Sequence, residues 1–227
     1  MHIFDKEEIA KTGYPDGTAY SSHRPYLEYI VDFLYEKNGG KKLNILECGT
    51  GHGSSAFFSE ITKAEKAKVW GIEYHNVGPD CWFDTMKKEY SNDNYNITLE
   101  AQGLFVFGTP YFEKLDDHYD IIFVDTSAYE NRANWVKFSG SGRAKVVVLH
   151  DSEHMHRFKP WLLDFVNDEY DYVYDSWPIQ NPGTLFASNI DLKCNLNYEG
   201  RKDDMPQKED HEEIEPTQFG FPIQKHV

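Results

Sequence analysis

Residues 43–55 read LNILECGTGHGSS, and this stretch decides the fold. Its first half, Leu43 to Cys48, is a short apolar run of the kind that forms a strand buried on both faces of a sheet. Its second half carries glycines at alternate positions, which predicts a tight turn leading into a helix. A strand, a glycine-rich turn and a helix in this order predict the start of an open α/β sheet, where ligands bind at the carboxyl ends of the strands.

The alternation of strand and helix continues along the chain. Five apolar runs predict buried strands, namely Leu43–Cys48, Lys68–Glu73, Asn96–Ala101, Tyr119–Asp125 and Ala144–His150. The helices predicted among them are Ser55–Lys63, Asp80–Tyr90, Tyr129–Phe138 and Met155–Asn167. Because alternating strands and helices are joined by right-handed crossovers, the pattern predicts an α/β, doubly wound, Rossmann-like sheet that is mostly parallel, with helices on both faces.

Two further strands complete a predicted seven-stranded sheet. Tyr170–Ser176 and Thr184–Ser188 are separated by a loop with two prolines and a glycine, which predicts a C-terminal antiparallel hairpin at the sheet edge. We therefore divide the chain into an N-terminal arm and helix that cover the active site (1–40), a core (41–190) and an acidic extension (191–227). The arm is loop-rich to His23, and Asn38-Gly39-Gly40 ends its helix. The charged extension is expected to be weakly ordered.

Composition narrows the function classes. A formal charge of -15 repels phosphate backbones and anionic lipids, so we expect neither nucleic acid nor membrane as a partner. The three cysteines form no C-x-x-C pair, and no apolar run approaches the roughly 20 residues of a membrane span. The start of the chain lacks the pattern of a secretory signal. We expect a cytoplasmic protein, and a homo-oligomer stays open.

The glycine spacing distinguishes between two cofactors. A dinucleotide fold prefers G-x-G-x-x-G, whereas this turn reads G-x-G-x-G, and Glu47 before it would oppose a pyrophosphate. S-adenosylmethionine (SAM) carries an amine and a carboxylate, which suit an acid beside glycine amides. Glu73 ends the second predicted strand, where a carboxylate can accept both ribose hydroxyls. The two features together favour SAM over NAD.

These features resemble the class I SAM-dependent methyltransferases over roughly Leu43 to Ser188. The resemblance implies that the methyl donor is SAM. It implies that the methionine part is surrounded by Glu47, Gly49, Gly51 and Gly53, that Ser55 holds its carboxylate, that Glu73 binds the ribose, and that Gln102 and Gly103 contact the adenine.

The ends of the fourth and fifth strands resemble the branch of this family that methylates hydroxyls of small molecules, including catechol and sugar O-methyltransferases. They read VDTSAYE from Val124 and LHDS from Leu149. The resemblance implies that Asp125 and Asp151 bind Mg²⁺, which acidifies a bound hydroxyl. The branch commonly supplies another Asp or Asn as the third ligand where this chain has Ser152, so metal dependence stays open. Without a metal, Asp125, Asp151 or His150 is the general base.

Other interpretations of these residues remain open. Asp125 and Asp151 also suit helix capping, a frequent use of Asp after a strand. His154 and His156 are candidates for the substrate pocket or for an inert surface, and no H-E-x-x-H zinc motif is present. A lid over the acceptor is hypothesised from loop position alone, with the residues Tyr14, Tyr20, His23, Arg24 and Trp177.

The sequence thus predicts a SAM-dependent O-methyltransferase with a small hydroxylated acceptor. A sugar or glycan is preferred to a catechol, because of the His-Asp ending of the fifth strand and the polar, acidic character of the chain. The alternatives are a NAD-dependent oxidoreductase and a SAM-binding module without catalysis.

Overall fold

The fold was analysed in a computed structural model of the chain. The structure describes residues 2–4, 22–73, 81–100, 115, 118–126, 129–140, 142–177 and 182–196. The predicted site residues Gln102 and Gly103, the arm residues Tyr14 and Tyr20, and most of the acidic extension lie outside these ranges.

A seven-stranded sheet forms the centre of the protein. Its strands are β2 (Leu43–Cys48), β3 (Ala67–Glu73), β4 (Tyr95–Leu99), β5 (Tyr119–Val124), β6 (Ala144–His150), β7 (Tyr172–Asp175) and β8 (Thr184–Ser188). The spatial order is β4-β3-β2-β5-β6-β8-β7, and β8 alone runs antiparallel to its neighbours. This mostly parallel sheet with its C-terminal antiparallel hairpin confirms the predicted fold class.

Helices cover both faces of the sheet. They are α1 (Arg24–Lys37), α2 (His52–Lys63), α3 (Trp82–Tyr90), α4 (Tyr129–Ser139), α5 (Glu153–Phe158) and α6 (Trp161–Glu169). Side chains from α1, α2 and α3 pack with Val146 and Val148 of β6 in one core cluster. Side chains from α4, α5 and α6 pack with Val147 and Leu149 in the other. Alternate residues of one buried strand therefore serve two cores, as expected for a doubly wound sheet.

The strand order also locates the ligand crevice. The chain runs from β2 outward through β3 to β4, and then returns to place β5 on the other side of β2. In open α/β sheets such a reversal opens a crevice at the carboxyl ends of the two central strands. Here those ends are Cys48 of β2 and Val124 of β5, which pair directly.

One predicted helix proved wrong. The stretch Met155–Asn167 was expected to be continuous, but the structure has two helices separated by Lys159 and Pro160. Proline has no N–H for the helical ladder, and its ring disfavours helical backbone in the residue before it. Lys159 accordingly leaves the helical region, with φ -139° and ψ 55°.

A second, two-stranded sheet was not predicted. His2–Phe4 (β1) pairs in parallel with Cys194–Leu196 (β9). Three-residue strands carry too little periodicity to be recognised in a sequence, and their pairing depends on distant parts of the chain. Among the residues that the structure describes, no helix is long and apolar enough to cross a membrane.

Candidate functional site

The glycine-rich turn packs directly on the end of β5. Gly49 has φ +87°, a backbone conformation that residues with a side chain rarely adopt. Its N–H donates a hydrogen bond to the carbonyl of Ile72 at 2.9 Å. A Cβ on Gly49 would lie 2.3 Å from the carbonyl oxygen of Asp125. The turn thereby joins the ends of β2 and β5, and it delivers the chain into α2 at His52.

Glu47 lies beneath this turn with its side chain fully buried. Its carboxyl accepts hydrogen bonds from Ser54 Oγ at 2.7 Å, from Ser55 Oγ at 3.0 Å and from the Tyr95 hydroxyl. Burial raises the pKa of Glu47 to about 8, although these hydrogen bonds oppose the shift. The carboxyl therefore braces the turn from inside, and its predicted contact with the methionine part of SAM stays a prediction.

The raised pKa of Glu47 predicts a pH-dependent stability. The folded state keeps the Glu47 proton up to about pH 8, whereas an unfolded glutamate loses it near pH 4.5. Between these two pH values the glutamate is ionised only in the unfolded state, so a rise in pH favours unfolding. The contribution of Glu47 to the free energy of unfolding should fall by about 1.4 kcal/mol per pH unit between these pH values and be constant outside them. Glu47→Gln should remove that slope. Urea unfolding of both proteins from pH 5 to 9 measures the difference, and parallel pH profiles would contradict the expectation.

Glu73, the predicted ribose ligand, ends β3 beside the same turn. One of its carboxylate oxygens accepts the N–H of Thr50 at 3.1 Å and the Thr50 hydroxyl at 2.6 Å. Ser55 is equally engaged, since its Oγ donates to Glu47 and accepts the N–H of Gly51 at 3.2 Å. The structure thus brings Glu47, Ser55 and Glu73 together around the turn, with both acids buried.

A cavity of about 420 Å³ opens at the carboxyl ends of β2, β5 and β6. One wall is the turn and the start of α2, formed by Thr50, Gly51, His52, Gly53 and Ser54. The opposite wall contains His23, Asp125, Arg132, His150 and Asp151, and Trp82 and Pro182 complete the lining. The volume lies within the range of about 300–1,000 Å³ that is typical of small-molecule sites.

A guanidinium joins the two predicted catalytic acids. Nη2 of Arg132 lies 3.1 Å from Oδ1 of Asp125 and 2.9 Å from Oδ2 of Asp151. The other nitrogens of Arg132 donate to the carbonyls of Thr126 and His150. Arg132 extends from α4 and is 6% exposed, so its charge is fixed between β5 and β6. The planar fork of arginine donors suits such an arrangement.

His150 is held at both ring nitrogens. Nδ1 lies 3.1 Å from Oδ2 of Asp125 and 3.4 Å from Oδ1 of Asp151, while Nε2 lies 2.8 Å from Oγ of Ser22. Burial alone would lower the pKa of His150, but the charge and hydrogen bond of Asp125 outweigh burial and raise it. Burial likewise opposes the charged form of Asp125, yet the charges of His150 and Arg132 hold its pKa below the ordinary value.

The predicted Mg²⁺ site does not fit this geometry. The place between Asp125 and Asp151 is taken by the Arg132 guanidinium, which already balances part of their charge. Ser152, at the position of the missing third ligand, is fully buried and donates from Oγ to Asp175 at 2.7 Å. Magnesium demands near-octahedral oxygen ligands, and these residues do not offer them.

The capping interpretation fails for Asp151, whereas for Asp125 it stays open because residues 127 and 128, which precede α4, lie outside the described ranges. Within the described residues, the carboxylates of Asp125 and Asp151 contact Arg132 and His150 rather than the first N–H groups of a helix. The helix after β6 has Ser152 as its N-cap, and the Ser152 side chain makes no capping hydrogen bond to this helix. The backbone of Asp151 has φ +55°, a left-handed conformation that is uncommon outside glycine.

His156 and Trp177 form a separate cluster with Asp175. Nε2 of His156 lies 2.6 Å from Oδ2 of Asp175, and its ring stacks on Trp177 with centroids 4.6 Å apart. Neither His154 nor His156 lines the described cavity, and neither does Trp177. The predicted lid role of Trp177 stays a prediction.

The N-terminal arm places one residue deep in the site. His23 is buried, lines the cavity, and lies edge-on to His150 with ring centroids 4.6 Å apart. Arg24 instead points to Glu28 and Glu60, at 2.7 Å from each. Arg132 and Ser22 were missed in the sequence, since a helical arginine and a loop serine give no local sign of their distant partners.

Comparisons with known proteins show the fold. No protein-family model matches the sequence, and no curated protein matches it. Similar solved structures include WbdD, 14% identical over 83% of this chain with a TM-score of 0.50, of which this chain spans 45%. A "putative caffeoyl-CoA O-methyltransferase from Staphylococcus aureus" is 16% identical over 81% of this chain and 98% of that chain, with a TM-score of 0.50.

A third similar structure is a "probable spermidine synthase" from Corynebacterium glutamicum. It is 12% identical over 79% of this chain and 67% of that chain, with a TM-score of 0.52. At such identities the likeness concerns the fold alone, and this chain has the Rossmann-like fold of class I methyltransferases. Because a synthase shares that fold, the reaction has to be argued from the site itself.

Proposed function

We propose that this chain, with its class I methyltransferase fold, is a SAM-dependent O-methyltransferase. The observation that carries the proposal is that the glycine-rich turn and the Asp125–His150–Asp151 cluster line the same cavity. A methyl donor on the turn and an acceptor at the cluster would meet across this cavity. Bringing two reactants together in line is the main requirement for transfer from an already activated donor.

The turn fits SAM better than a dinucleotide. Gly51 and Gly53 line the cavity without side chains, and the start of α2 offers free N–H groups and a positive dipole end to a carboxylate. Buried Glu73 accepts hydrogen bonds from Thr50 of the turn, and its carboxylate would lie close to a pyrophosphate bound there. This residue therefore speaks against the NAD-dependent alternative. When bound, SAM supplies the methyl group as an activated sulfonium substituent.

The opposite wall supports a hydroxyl acceptor. Asp125, His150 and Asp151 face the cavity, and they can align a hydroxyl and accept its proton. The raised pKa of His150 makes its neutral form a stronger base than a free imidazole. Arg132 holds both carboxylates in place, so the cluster is preorganised before the acceptor arrives.

The hydrogen-bonding side chains of the lining support a polar acceptor such as a sugar. Three histidines, two acids and an arginine line the cavity together with Trp82 and Pro182, although most of the cavity surface is apolar. Several donors and acceptors in one site suit a molecule with several hydroxyls better than a flat phenol. Transfer of labelled methyl from SAM to panels of sugars and of catechols compares the two. Activity confined to catechols would contradict the sugar assignment.

Binding of S-adenosylhomocysteine, the product of SAM, is the first test. Calorimetric titration should show binding, and Glu73→Gln should weaken it at least about tenfold, because one charge-assisted hydrogen bond to the ribose is lost. Glu36→Gln, which is exposed in the last turn of α1, is the matched control and should bind like the wild type. Binding of NADH in place of the homocysteine product would favour the oxidoreductase and overturn the proposal.

A further inference from the structure

The imidazole of His23 is buried without a polar partner. The residue is 1% exposed, and neither ring nitrogen has a hydrogen-bond partner among the groups that the structure describes. A buried polar atom that lacks a hydrogen bond destabilises the folded protein. Although His23 stands at the N-cap position of α1, its side chain makes no capping hydrogen bond to this helix. Its position is explained if something else binds the ring.

Two further ligand-type side chains lie next to this ring. One ligand atom each from His23, Asp125 and His150 can be chosen so that all three lie within 4.8 Å of one another. Ligand atoms that share a tetrahedral ion at bond lengths of about 2.0–2.2 Å stand roughly 3.3–3.6 Å apart. Asp125 Oδ2 and His150 Nδ1, at 3.1 Å, are close to this spacing. A movement of the His23 ring towards these two atoms would complete the set.

We infer that His23, Asp125 and His150 bind a divalent transition-metal ion, with Zn²⁺ as the reference ion, at the wall of the cavity. Two imidazoles and one carboxylate are the ligands of zinc and iron sites, whereas magnesium prefers oxygen ligands alone. The three residues all line the cavity, so an ion has an entry path and keeps positions open towards it. The site differs from the Asp125–Asp151 pair expected for Mg²⁺.

The surroundings support an ion at this place. Ser22 contacts Nε2 of His150 at 2.8 Å and fixes the orientation of the ring. Nδ1 faces Oδ2 of Asp125, and ion binding would replace the proton that these two atoms share. Arg132 approaches Asp125 through Oδ1, so Oδ2 is the oxygen that faces His150.

The ion would give the proposed reaction its Lewis acid. A hydroxyl bound to the ion would lose its proton more readily. Asp151, which is not one of the three ligands, would be the carboxylate that accepts this proton. This role rests on the proposed methyl transfer, whereas the binding of the ion does not.

Metal binding is measured on the full chain without a polyhistidine tag, after treatment with a chelator. Calorimetric titration with Zn²⁺ should show one site, and Co²⁺ should give the visible absorption of a nitrogen-containing site. A large excess of Mg²⁺ should not displace the Co²⁺. His23→Gln should weaken Zn²⁺ binding at least about 100-fold, since the loss of a ligand exceeds the effect of losing its supporting contacts. Asp125→Asn should weaken it similarly.

His118→Gln is the matched control, because His118 is exposed and precedes β5 at the opposite end of the strand. It should bind Zn²⁺ like the wild type. Thermal unfolding provides a second readout, in which Zn²⁺ raises the Tm of the wild type and His118→Gln but not of His23→Gln. Equal Zn²⁺ affinity in the wild type and His23→Gln, or displacement of Co²⁺ by Mg²⁺, would overturn the inference.

The same samples separate this inference from the proposed function. Binding of S-adenosylhomocysteine without Zn²⁺ would leave the methyltransferase proposal standing and remove the metal site. Binding of Zn²⁺ without the homocysteine product would do the reverse.

Discussion

Gly49→Ala is expected to destabilise the folded protein by more than about 3 kcal/mol. At φ +87° a side chain is itself unfavourable, and the added Cβ would lie 2.3 Å from the carbonyl oxygen of Asp125. That oxygen belongs to the backbone just after β5 and cannot turn aside like a side chain. Relief requires the ends of β2 and β5 to separate, which would also distort the cavity.

Gly51→Ala is the matched control two residues further on. Gly51 has extended backbone with φ -154°, and an added Cβ would find Ser54 Oγ at an ordinary 3.7 Å. We expect a cost below about 1 kcal/mol, the usual effect of alanine at an N-cap. Urea unfolding of the two variants measures the contrast. Similar free energies of unfolding would show that the turn is not constrained as the structure indicates.

Arg132→Gln is expected to lower the free energy of unfolding by about 3–5 kcal/mol, because it removes the guanidinium between two largely buried carboxylates and leaves only His150 to balance their charge. Asp125 and Asp151 are 24% and 21% exposed in their side chains, and the carbonyls of Thr126 and His150 lose their donor as well. The control is Lys66→Gln, which breaks the exposed Lys66–Asp32 pair at 2.7 Å and should cost at most about 1 kcal/mol.

A double-mutant cycle identifies the source of the Arg132 effect. If the loss arises from the stranded acids, Asp151→Asn in the Arg132→Gln background should restore part of the stability. Additive free energies of unfolding, or an Arg132→Gln cost no larger than that of Lys66→Gln, would contradict the account. Urea denaturation with equal m-values provides the measurement.

The fold could be predicted because each strand of the sheet carries its own signal. The runs at Leu43–Cys48 and Ala144–His150 are buried on both faces and were predicted with their observed bounds. Helix α1 ends at Lys37, just before the predicted stop at Asn38. The predictions are wrong or incomplete where the structure depends on one residue or on a distant part of the chain. Pro160 separates α5 from α6, and β1 forms only by pairing with the distant β9.

For the candidate site, only the strand ends at which its residues lie could be predicted from the sequence. Parallel strands end at one side of a sheet, so Asp125, His150 and Asp151 could be expected to lie near one another. The direction of their side chains could not be foreseen, because it depends on Arg132 from α4 and on Ser22 before α1. The same limit applies to Glu47, whose acidity near a glycine turn predicted a ligand contact but whose carboxyl faces Ser54, Ser55 and Tyr95.

The position of β8 bears on how the protein matures during synthesis. β8 lies between β6 and β7, although it follows both along the chain, and its Thr184 pairs with His150. Until residues 184–188 have left the ribosome, β6 presents an open edge to other chains, a recognised risk for aggregation. β6, the strand that ends in His150, therefore acquires its second neighbouring strand late. The cavity at its carboxyl end is completed only after all the parallel strands have been synthesised.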